Sequence, residues 1–235
     1  MTLAHFYGKG LPGYEGVMLP GKLLVLEGPD GVGRSTQIAL LREWLEAKGF
    51  AVSYSGLKRS ELASKGIASA KQGHTLDERT MNLFYVADLA DRLEREIIPA
   101  LKAGFVVVTD RYMYSLIARS VVRGVNAEYI RAVLGFCLIP DAVFYLKTNL
   151  DHLIPRVLRK GGFDYWEAGV DFQHKSDYYD CYCQYQSQML AEFDRLGKEY
   201  AFRNIDATRS IDAVFTELKD EIGQIVLELK PSNSI

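Results

Sequence analysis

The stretch Gly28-Pro29-Asp30-Gly31-Val32-Gly33-Arg34-Ser35 decides the fold class of this chain. Its spacing is that of a phosphate-binding loop, GxxxxGK[ST], with Arg34 at the lysine position. Small residues let successive backbone N–H groups turn toward phosphate oxygens, and the following helix directs the positive end of its dipole at the anion. The pattern therefore predicts a nucleotide site that consists of Gly28, Asp30, Gly31, Val32, Gly33, Arg34, Ser35 and Thr36.

Two side chains of this loop have predicted roles in handling charge. The cation at Arg34 is expected to reach the β- and γ-phosphates, and the hydroxyl of Ser35 is expected to bind Mg²⁺. Arginine keeps the charge of the usual lysine, but it is a bulkier planar fork, so the geometry of the loop must differ. A loop that binds a nucleotide yet transfers phosphate poorly is the alternative interpretation.

The flanks of the loop agree with the motif. The apolar run Leu23–Leu26 precedes it, and apolar residues follow at the spacing of an amphipathic helix that Gly49 ends. Short apolar runs then alternate with helical stretches, which predicts a three-layer α/β fold: a parallel sheet of about five strands between helices. The other predicted strands are 51–54, 105–108, 142–146 and 200–205, and the clearest later helices are 80–101 and 211–229.

The chain is predicted to form one domain, residues 21–230, behind an irregular N-terminal arm, residues 1–20. Residues 161–176 interrupt the alternation with glycines and charges, and a helix that carries Arg156, Arg159 and Lys160 precedes them. A stretch of this kind inside a compact domain is more often functional than idle. We therefore expect a mobile flap at about residues 156–176.

Composition limits the class of protein. The 235 residues include 28 basic and 30 acidic side chains, and this balance does not suggest a nucleic-acid binder. No apolar run approaches the roughly 18 residues that span a bilayer. Three cysteines are a poor disulfide framework and fit a reducing compartment. These features favour a cytoplasmic location without nucleic-acid or membrane partners.

A second motif, read together with the loop, carries a family resemblance. Residues 27–37 resemble the opening loop of thymidylate kinases, Glu-Gly-x-Asp-Gly-x-Gly-Lys-[Ser/Thr]-Thr-Gln. Asp110-Arg111-Tyr112, with Ser115 and Ala118 after it, is similar to that family's Asp-Arg-Tyr-x-x-Ser-x-x-Ala. The resemblance covers about residues 22–228. Weaker matches are Ala87-Asp88, Pro140-Asp141, Asp164, Glu167 and residues 205–207.

The resemblance implies a function and residue roles. The expected fold is that of P-loop nucleoside-monophosphate kinases, and the expected reaction is transfer of the γ-phosphoryl group of Mg-ATP to dTMP, in a cytoplasmic homodimer. Arg111 would bind the acceptor phosphate, and Asp110 would orient it or hold a Mg²⁺-bound water. Asp30 would contact the acceptor sugar, and Tyr85 would stack on the base. Arg59 is a candidate second phosphate contact or a solvated surface residue.

The chain departs from the family pattern around the acceptor base. Leu89 stands where the family has a base-binding arginine, and Arg119 with Ser120 replaces an aromatic and a polar residue. Arg119 is also a predicted substrate contact. Such changes alter base choice, because buried polar groups supply most of that discrimination. Arg92 is a candidate substitute. Another pyrimidine nucleotide as acceptor therefore stays an open alternative, as does a non-catalytic nucleotide-binding homologue.

The catalytic arginine of the family is also displaced. In thymidylate kinases it comes from the phosphate loop, at the position of Gly31, or from the flap, at the position of Tyr165. Neither residue can supply a cation. Arg156, Arg159 and Lys160, at the start of the flap, are the candidates to replace it. Arg159 is the predicted catalytic replacement, beside Arg34, Asp110 and Arg111, and a solvated position on the helix face is its alternative.

Overall fold

The computed structural model describes residues 2–57, 60–61, 63–73, 76–173, 177–227 and 229. Five strands form one parallel sheet, in the order β4-β5-β3-β6-β7. Two further strands of two residues each pair antiparallel outside it. The strands are β1 Thr2–Leu3, β2 Met18–Leu19, β3 Lys22–Glu27, β4 Val52–Gly56, β5 Val106–Asp110, β6 Ala142–Lys147 and β7 Arg203–Asp206.

Helices connect the parallel strands. They are α1 Arg34–Ala47, α2 Ala63–Gly73, α3 Glu78–Arg92, α4 Ile98–Lys102, α5 Met113–Val122, α6 Ala127–Val133, α7 Leu150–Arg159, α8 Val170–Gln173, α9 Tyr178–Glu199 and α10 Ile211–Val226. Within the part of the chain that the structure describes, no helix is both long and apolar enough to cross a membrane.

The sheet is covered on both faces, as the apolar strands predict. Alternate residues of a strand point to opposite faces, so Leu24 and Leu26 of β3 pack against α1 and α10, whereas Leu23 and Val25 pack against the helices of the other face. Those helices are α3, α5 and α9, which contribute Leu89, Leu116 and Phe193 to the second core. The three-layer fold expected from the sequence is therefore confirmed.

The element bounds differ from the predicted ones in an informative way. The strands β4, β5 and β6 end one or two residues later than predicted, because the apolar criterion excludes their polar last residues. The predicted helix 80–101 is a run of α3, a π-helical turn at Leu93–Ile97 and α4. Pro99 lies in the first turn of α4, and since proline cannot donate to the carbonyl four residues earlier, the ladder is interrupted just before it.

The N-terminal arm is more ordered than the predicted irregular segment. Its β1 and β2 pair with each other, and the side chains of Leu11 and Leu19 are buried. Its backbone also follows the segment before β6: the N–H of Tyr7 donates to the carbonyl of Cys137 at 3.1 Å. The arm therefore lies at the amino ends of the parallel strands. Ligands bind at the other edge of an open α/β sheet, where the strands have their carboxyl ends.

The predicted flap begins inside a helix. Residues 156–159 are the last turn of α7, residues 160–169 form turns, and α8 follows. Residues 174–176, the predicted end of the flap, lie outside the described residues, and so do residues 231–235 of the C-terminus. Gly161, Gly162 and Gly169 all have positive φ angles, which explains why this segment carries glycine.

Candidate active site

The phosphate loop joins β3 to α1 as predicted. Gly28, Gly31 and Gly33 have φ angles of 145°, 81° and 105°, which L-residues rarely adopt. At Gly28 a side chain is also excluded by space, because a Cβ would lie 3.0 Å from the carbonyl oxygen of Leu146. The glycines of the motif are therefore required by this backbone path.

Arg34 turns back along its own loop. Its Nη1 donates to the carbonyl oxygens of Gly28 at 2.5 Å and Pro29 at 2.6 Å, and its Nε donates to Oδ1 of Asp110 at 2.6 Å. Its Nη2 makes no hydrogen bond within the described residues and is the donor left for a phosphate oxygen. The planar fork thus braces the loop and β5 at once and keeps Nη2 available, whereas the same contacts would use all three donors of a lysine ammonium.

Asp30 holds two arginines together. Arg111 pairs with its Oδ1, and Nη2 of Arg119 donates to its Oδ2 at 2.9 Å. Burial alone would raise the pKa of Asp30, but the charges of Arg111 and Arg119 hold that pKa far below its ordinary value. Three predicted substrate residues therefore meet in one ionised cluster.

The backbone of Arg111 is strained, and a buried carboxylate holds its neighbours. Arg111 has a φ of 66°, a left-handed conformation that is uncommon for a residue with a side chain. The carboxylate of Glu27 accepts from the N–H groups of Tyr112 at 2.8 Å and Ser115 at 3.2 Å, and from Oγ of Ser115 at 2.6 Å. It thereby caps α5 and fixes the turn that presents Arg111. This role of Glu27 was not predicted from the sequence.

Three adjoining cavities surround these residues. The largest, of about 540 Å³, is the acceptor cavity: Tyr85, Arg111 and Arg119 line it, as do flap residues. A second, of about 320 Å³, is the nucleotide cavity between Thr36, Arg156 and Arg209. Cavities of this size accommodate small-molecule ligands.

The third cavity, of about 330 Å³, connects the other two, and we call it the transfer cavity. Ser35, Asp110 and Lys160 line it. Asp30 lines both the transfer cavity and the acceptor cavity, and Gly31 lines both the transfer cavity and the nucleotide cavity. Two ligands can therefore meet end to end along the phosphate loop.

The structure brings most of the predicted site residues together. All eight residues of the predicted nucleotide site lie in or beside the loop. Tyr85, Arg111 and Arg119 line the acceptor cavity, and Asp110 lines the transfer cavity. Arg59 lies outside the described residues. Arg159 lines the nucleotide cavity, where its Nε donates to the carbonyl of Pro155, and it does not line the transfer cavity. Its catalytic role stays a prediction.

The residues at the altered base positions have different surroundings. Leu89 is fully buried and does not line the acceptor cavity. Arg92 is fully buried as well, paired with Asp88 through Nε at 3.1 Å, so it does not replace the missing arginine there. Tyr185 is buried and also lines this cavity.

Arg156 joins the loop to the end of the sheet. Its Nη1 donates to the carbonyl of Val32 at 2.9 Å, and its Nη2 to the carbonyl of Ala207 at 3.3 Å. The guanidinium therefore spans the nucleotide cavity between the phosphate loop and the β7–α10 connection. A planar cation in this place provides a stacking surface for an aromatic base.

Glu78 gives the acceptor cavity a pH-sensitive group. Burial and the nearby charge of Asp171 raise its pKa to about 7, against the attraction of Arg123. A raised folded-state pKa means that the folded protein binds more protons than the unfolded chain between about pH 4.5 and pH 7. We therefore expect this contribution to stability to be greatest below that window and to be lost as the pH rises through 7.

The Glu78→Gln variant tests this expectation. Its Oε1 can still accept from Asn82, as Glu78 does. The unfolding midpoints of both proteins are compared from about pH 5 to about pH 8. The wild type is expected to lose stability relative to the variant as the pH rises, and a difference that stays constant over this range contradicts the raised pKa.

Comparisons with known proteins agree with this geometry. The family model described as thymidylate kinase matches residues 26–218. "Probable thymidylate kinase 2" of Saccharolobus solfataricus is 32% identical over 208 residues, which cover 88% of this chain and 97% of that protein. "Thymidylate kinase" of Shouchella clausii is 29% identical over 221 residues, 91% of this chain and 100% of that protein. "Thymidylate kinase" of Brachyspira hyodysenteriae is 31% identical over 209 residues, which cover 88% of this chain and 95% of that protein.

These matches span the phosphate loop, the turn that presents Arg111 and the flap, which are the segments that line the three cavities. The N-terminal arm lies outside the matched range. Loop, cavities and matches together lead to one conclusion: the chain belongs to the thymidylate kinase family.

Proposed function

We propose that the protein transfers the γ-phosphoryl group of ATP to dTMP and forms ADP and dTDP. The observation that carries the proposal is the transfer cavity, which is lined by Arg34 and Asp110 and joins the nucleotide cavity to the acceptor cavity. Family membership points to the same reaction. The protein is accordingly a nucleoside-monophosphate kinase.

The residues act by positioning and by neutralising charge, which is what phosphoryl transfer asks of a protein. The backbone N–H groups of the loop bind the phosphates of ATP, and Nη2 of Arg34 faces them. Arg111 binds the acceptor phosphate, because Asp30, which also lines the transfer cavity, holds its guanidinium in the wall of the acceptor cavity. The attacking atom is an oxygen of a phosphate that is already anionic, so no general base is required.

The transfer cavity has a donor set that suits Mg²⁺. This ion is usually held by one or two carboxylates together with substrate phosphates, so a cluster of three protein ligands is not needed. Ser35 supplies a hydroxyl and Asp110 a carboxylate whose Oδ2 accepts no hydrogen bond within the described residues. When bound there, the ion neutralises charge on the transferring phosphates.

We further propose a cytoplasmic homodimer that binds no nucleic acid. The resemblance to thymidylate kinases supports the dimer. The balance of 28 basic and 30 acidic residues supports the absence of a nucleic-acid partner. The free thiols of Cys137, Cys181 and Cys183 support a reducing compartment.

Lys160 is the flap cation that the geometry favours for the transferring phosphate. It lines the transfer cavity, as Arg34 does. We expect Lys160→Ala to lower kcat by about 100-fold, the lower end of the loss when one transition-state charge contact is removed. The KM for dTMP is expected to change little.

Arg159→Ala is the matched comparison, one residue earlier on the same turn. It removes a cation of the nucleotide cavity, and we expect a change in the KM for ATP with kcat nearly retained. Steady-state rates with each substrate varied in turn distinguish the two. A larger loss of kcat in Arg159→Ala would reverse the assignment and return the catalytic role to Arg159.

ADP release with dTMP, dUMP, dCMP, dGMP and UMP as acceptors tests the proposed reaction. The highest kcat/KM is expected with dTMP. Because buried Leu89 replaces the base-binding arginine of the family, another pyrimidine nucleotide is the second candidate acceptor. A higher kcat/KM with that nucleotide would establish it. ATP binding without release of ADP for any acceptor would indicate the non-catalytic alternative.

A further inference from the structure

One side chain connects the flap to the rest of the domain. Arg123, directly after α5, donates from Nε and Nη2 to the two carboxylate oxygens of Asp171 at 2.8 and 3.1 Å. Its Nη2 also donates to the carbonyl of Trp166 at 3.2 Å, and its Nη1 donates to Oη of Tyr185 at 2.7 Å. Asp171 and Trp166 belong to the flap, and Tyr185 belongs to α9.

This connection is largely shielded from water. The side chains of Arg123 and Asp171 are 8% and 10% exposed. The guanidinium also lies 5.3 Å from the ring centroid of Phe172 and 4.8 Å from that of Tyr185. Removal of one partner from such a pair leaves a buried charge uncompensated, and lysine reproduces neither the bidentate geometry nor the stacking.

Arg123 lines the acceptor cavity, but none of its N–H groups is left to bind a ligand in that cavity. Its remaining Nη1 hydrogen points to the carbonyl of Arg119 at 3.5 Å, so all five N–H groups face protein acceptors. Its influence on the cavity must therefore pass through the flap residues that it holds. Those residues line the acceptor cavity, and they are Tyr165, Trp166, Glu167, Asp171 and Phe172.

The nucleotide cavity has a separate lining. None of these flap residues and neither Arg123 nor Tyr185 lines it; its cations are Arg156, Arg159, Lys160 and Arg209. A change in the position of residues 165–172 would therefore alter the wall of the acceptor cavity, and of the transfer cavity at Glu167, but it would leave the lining of the nucleotide cavity in place.

We propose that Arg123 is a positioning residue that fixes flap residues 165–172 as a wall of the acceptor cavity, and that it thereby sets the affinity for the nucleoside monophosphate independently of the affinity for ATP. The proposal rests on the proposed function, because it takes a nucleoside monophosphate as the occupant of that cavity. Glu78 is the other carboxylate beside Arg123, with Oε2 at 3.4 Å from Nε, and it keeps the guanidinium partly compensated when Asp171 is neutralised.

The variants Asp171→Asn and Arg123→Lys test the proposal by steady-state kinetics. Both are expected to raise the KM for dTMP by about tenfold or more and to leave the KM for ATP within about twofold, because part of the free energy lost when a buried pair is broken appears as weaker acceptor binding. The KM for dTMP of the double variant is expected to be no higher than that of the more severe single variant, since both changes remove the same interaction. Equal changes in both KM values, or no change in either, would overturn the proposal.

Glu199→Gln is the matched control. Arg131 binds Glu199 through Nε at 3.1 Å and Nη2 at 2.9 Å, in the same two-bond geometry, but this pair lies away from the three cavities. Its loss is expected to leave both KM values unchanged. A comparable rise in the KM for dTMP in this variant would show that general loosening, and not the flap, explains the effect.

Tryptophan fluorescence separates this inference from the proposed function. The chain has two tryptophans, and Trp44→Phe leaves the flap residue Trp166 as the only one. Titration with dTMP in this background measures acceptor binding without turnover, and Asp171→Asn is expected to weaken binding by about tenfold. If the wild type binds dTMP without turnover, the proposed function fails alone. If Asp171→Asn binds and turns over dTMP like the wild type, this inference fails alone, and a wild type that does neither overturns both.

Discussion

Replacement of Arg111 by alanine is expected to lower kcat/KM for dTMP by about 10³-fold. A guanidinium that grips a phosphate makes two charge-assisted hydrogen bonds, each worth about 2 kcal/mol, and about 1.4 kcal/mol corresponds to a factor of ten. The Arg111 side chain is only 14% exposed, so water does not replace these contacts well. Asp30 retains Arg119 as a partner in this variant, so the loop is not left with an unpaired carboxylate.

Backbone strain does not confound this variant. The φ of 66° is as unfavourable for alanine as for arginine, so Arg111→Ala leaves the strain in place. Arg111→Lys keeps the charge without the planar fork. Its kcat/KM for dTMP is expected to lie between that of Arg111→Ala and that of the wild type. Initial rates over a range of dTMP concentrations measure the effect. A loss below about tenfold in Arg111→Ala would contradict its role at the acceptor phosphate.

Replacement of Arg34 by alanine is expected to lower kcat by about 10² to 10³-fold, the range for loss of a preorganised transition-state contact. The carbonyl oxygens of Gly28 and Pro29 lose their donor in this variant, and Asp110 loses its partner. The affinity for ATP is therefore expected to fall as well. Product formation at saturating and at limiting ATP separates the two effects.

Arg34→Lys decides whether the arginine is a working part of the loop. One ammonium group cannot bind both carbonyls, Asp110 and a phosphate together, so we expect kcat about tenfold below that of the wild type. An increase in kcat would contradict this account. It would show that arginine impairs the loop, as in the alternative interpretation of a loop that binds a nucleotide yet transfers phosphate poorly.

The fold could be predicted because its signals are local. The glycines of residues 28–33, the apolar strand before them and the periodic helix after them are all contiguous in the sequence. The same holds for Asp110 and Arg111, since a polar pair at the end of an apolar strand must lie at the ligand-binding edge of a parallel sheet. These residues were identified without any knowledge of tertiary contacts.

The rest of the site depends on long-range pairs that no local pattern encodes. Glu27 caps a helix 85 or more residues later in the chain, and Arg123 meets Asp171 and Tyr185 across 48 and 62 residues. Arg159 and Lys160 are adjacent in sequence, and which of them faces the transfer cavity follows only from the orientation of the end of α7. The direction of the Arg34 side chain depends on its rotamer, and the motif specifies the residue type but not the rotamer.

Transfer of label from γ-labelled ATP to dTMP is the most direct test of the central claim. Labelled dTDP is expected to form in the presence of wild-type protein, Mg²⁺ and dTMP, and almost no labelled dTDP is expected with Arg111→Ala. Bound ATP with no labelled dTDP, or label that appears only in inorganic phosphate, would contradict that claim.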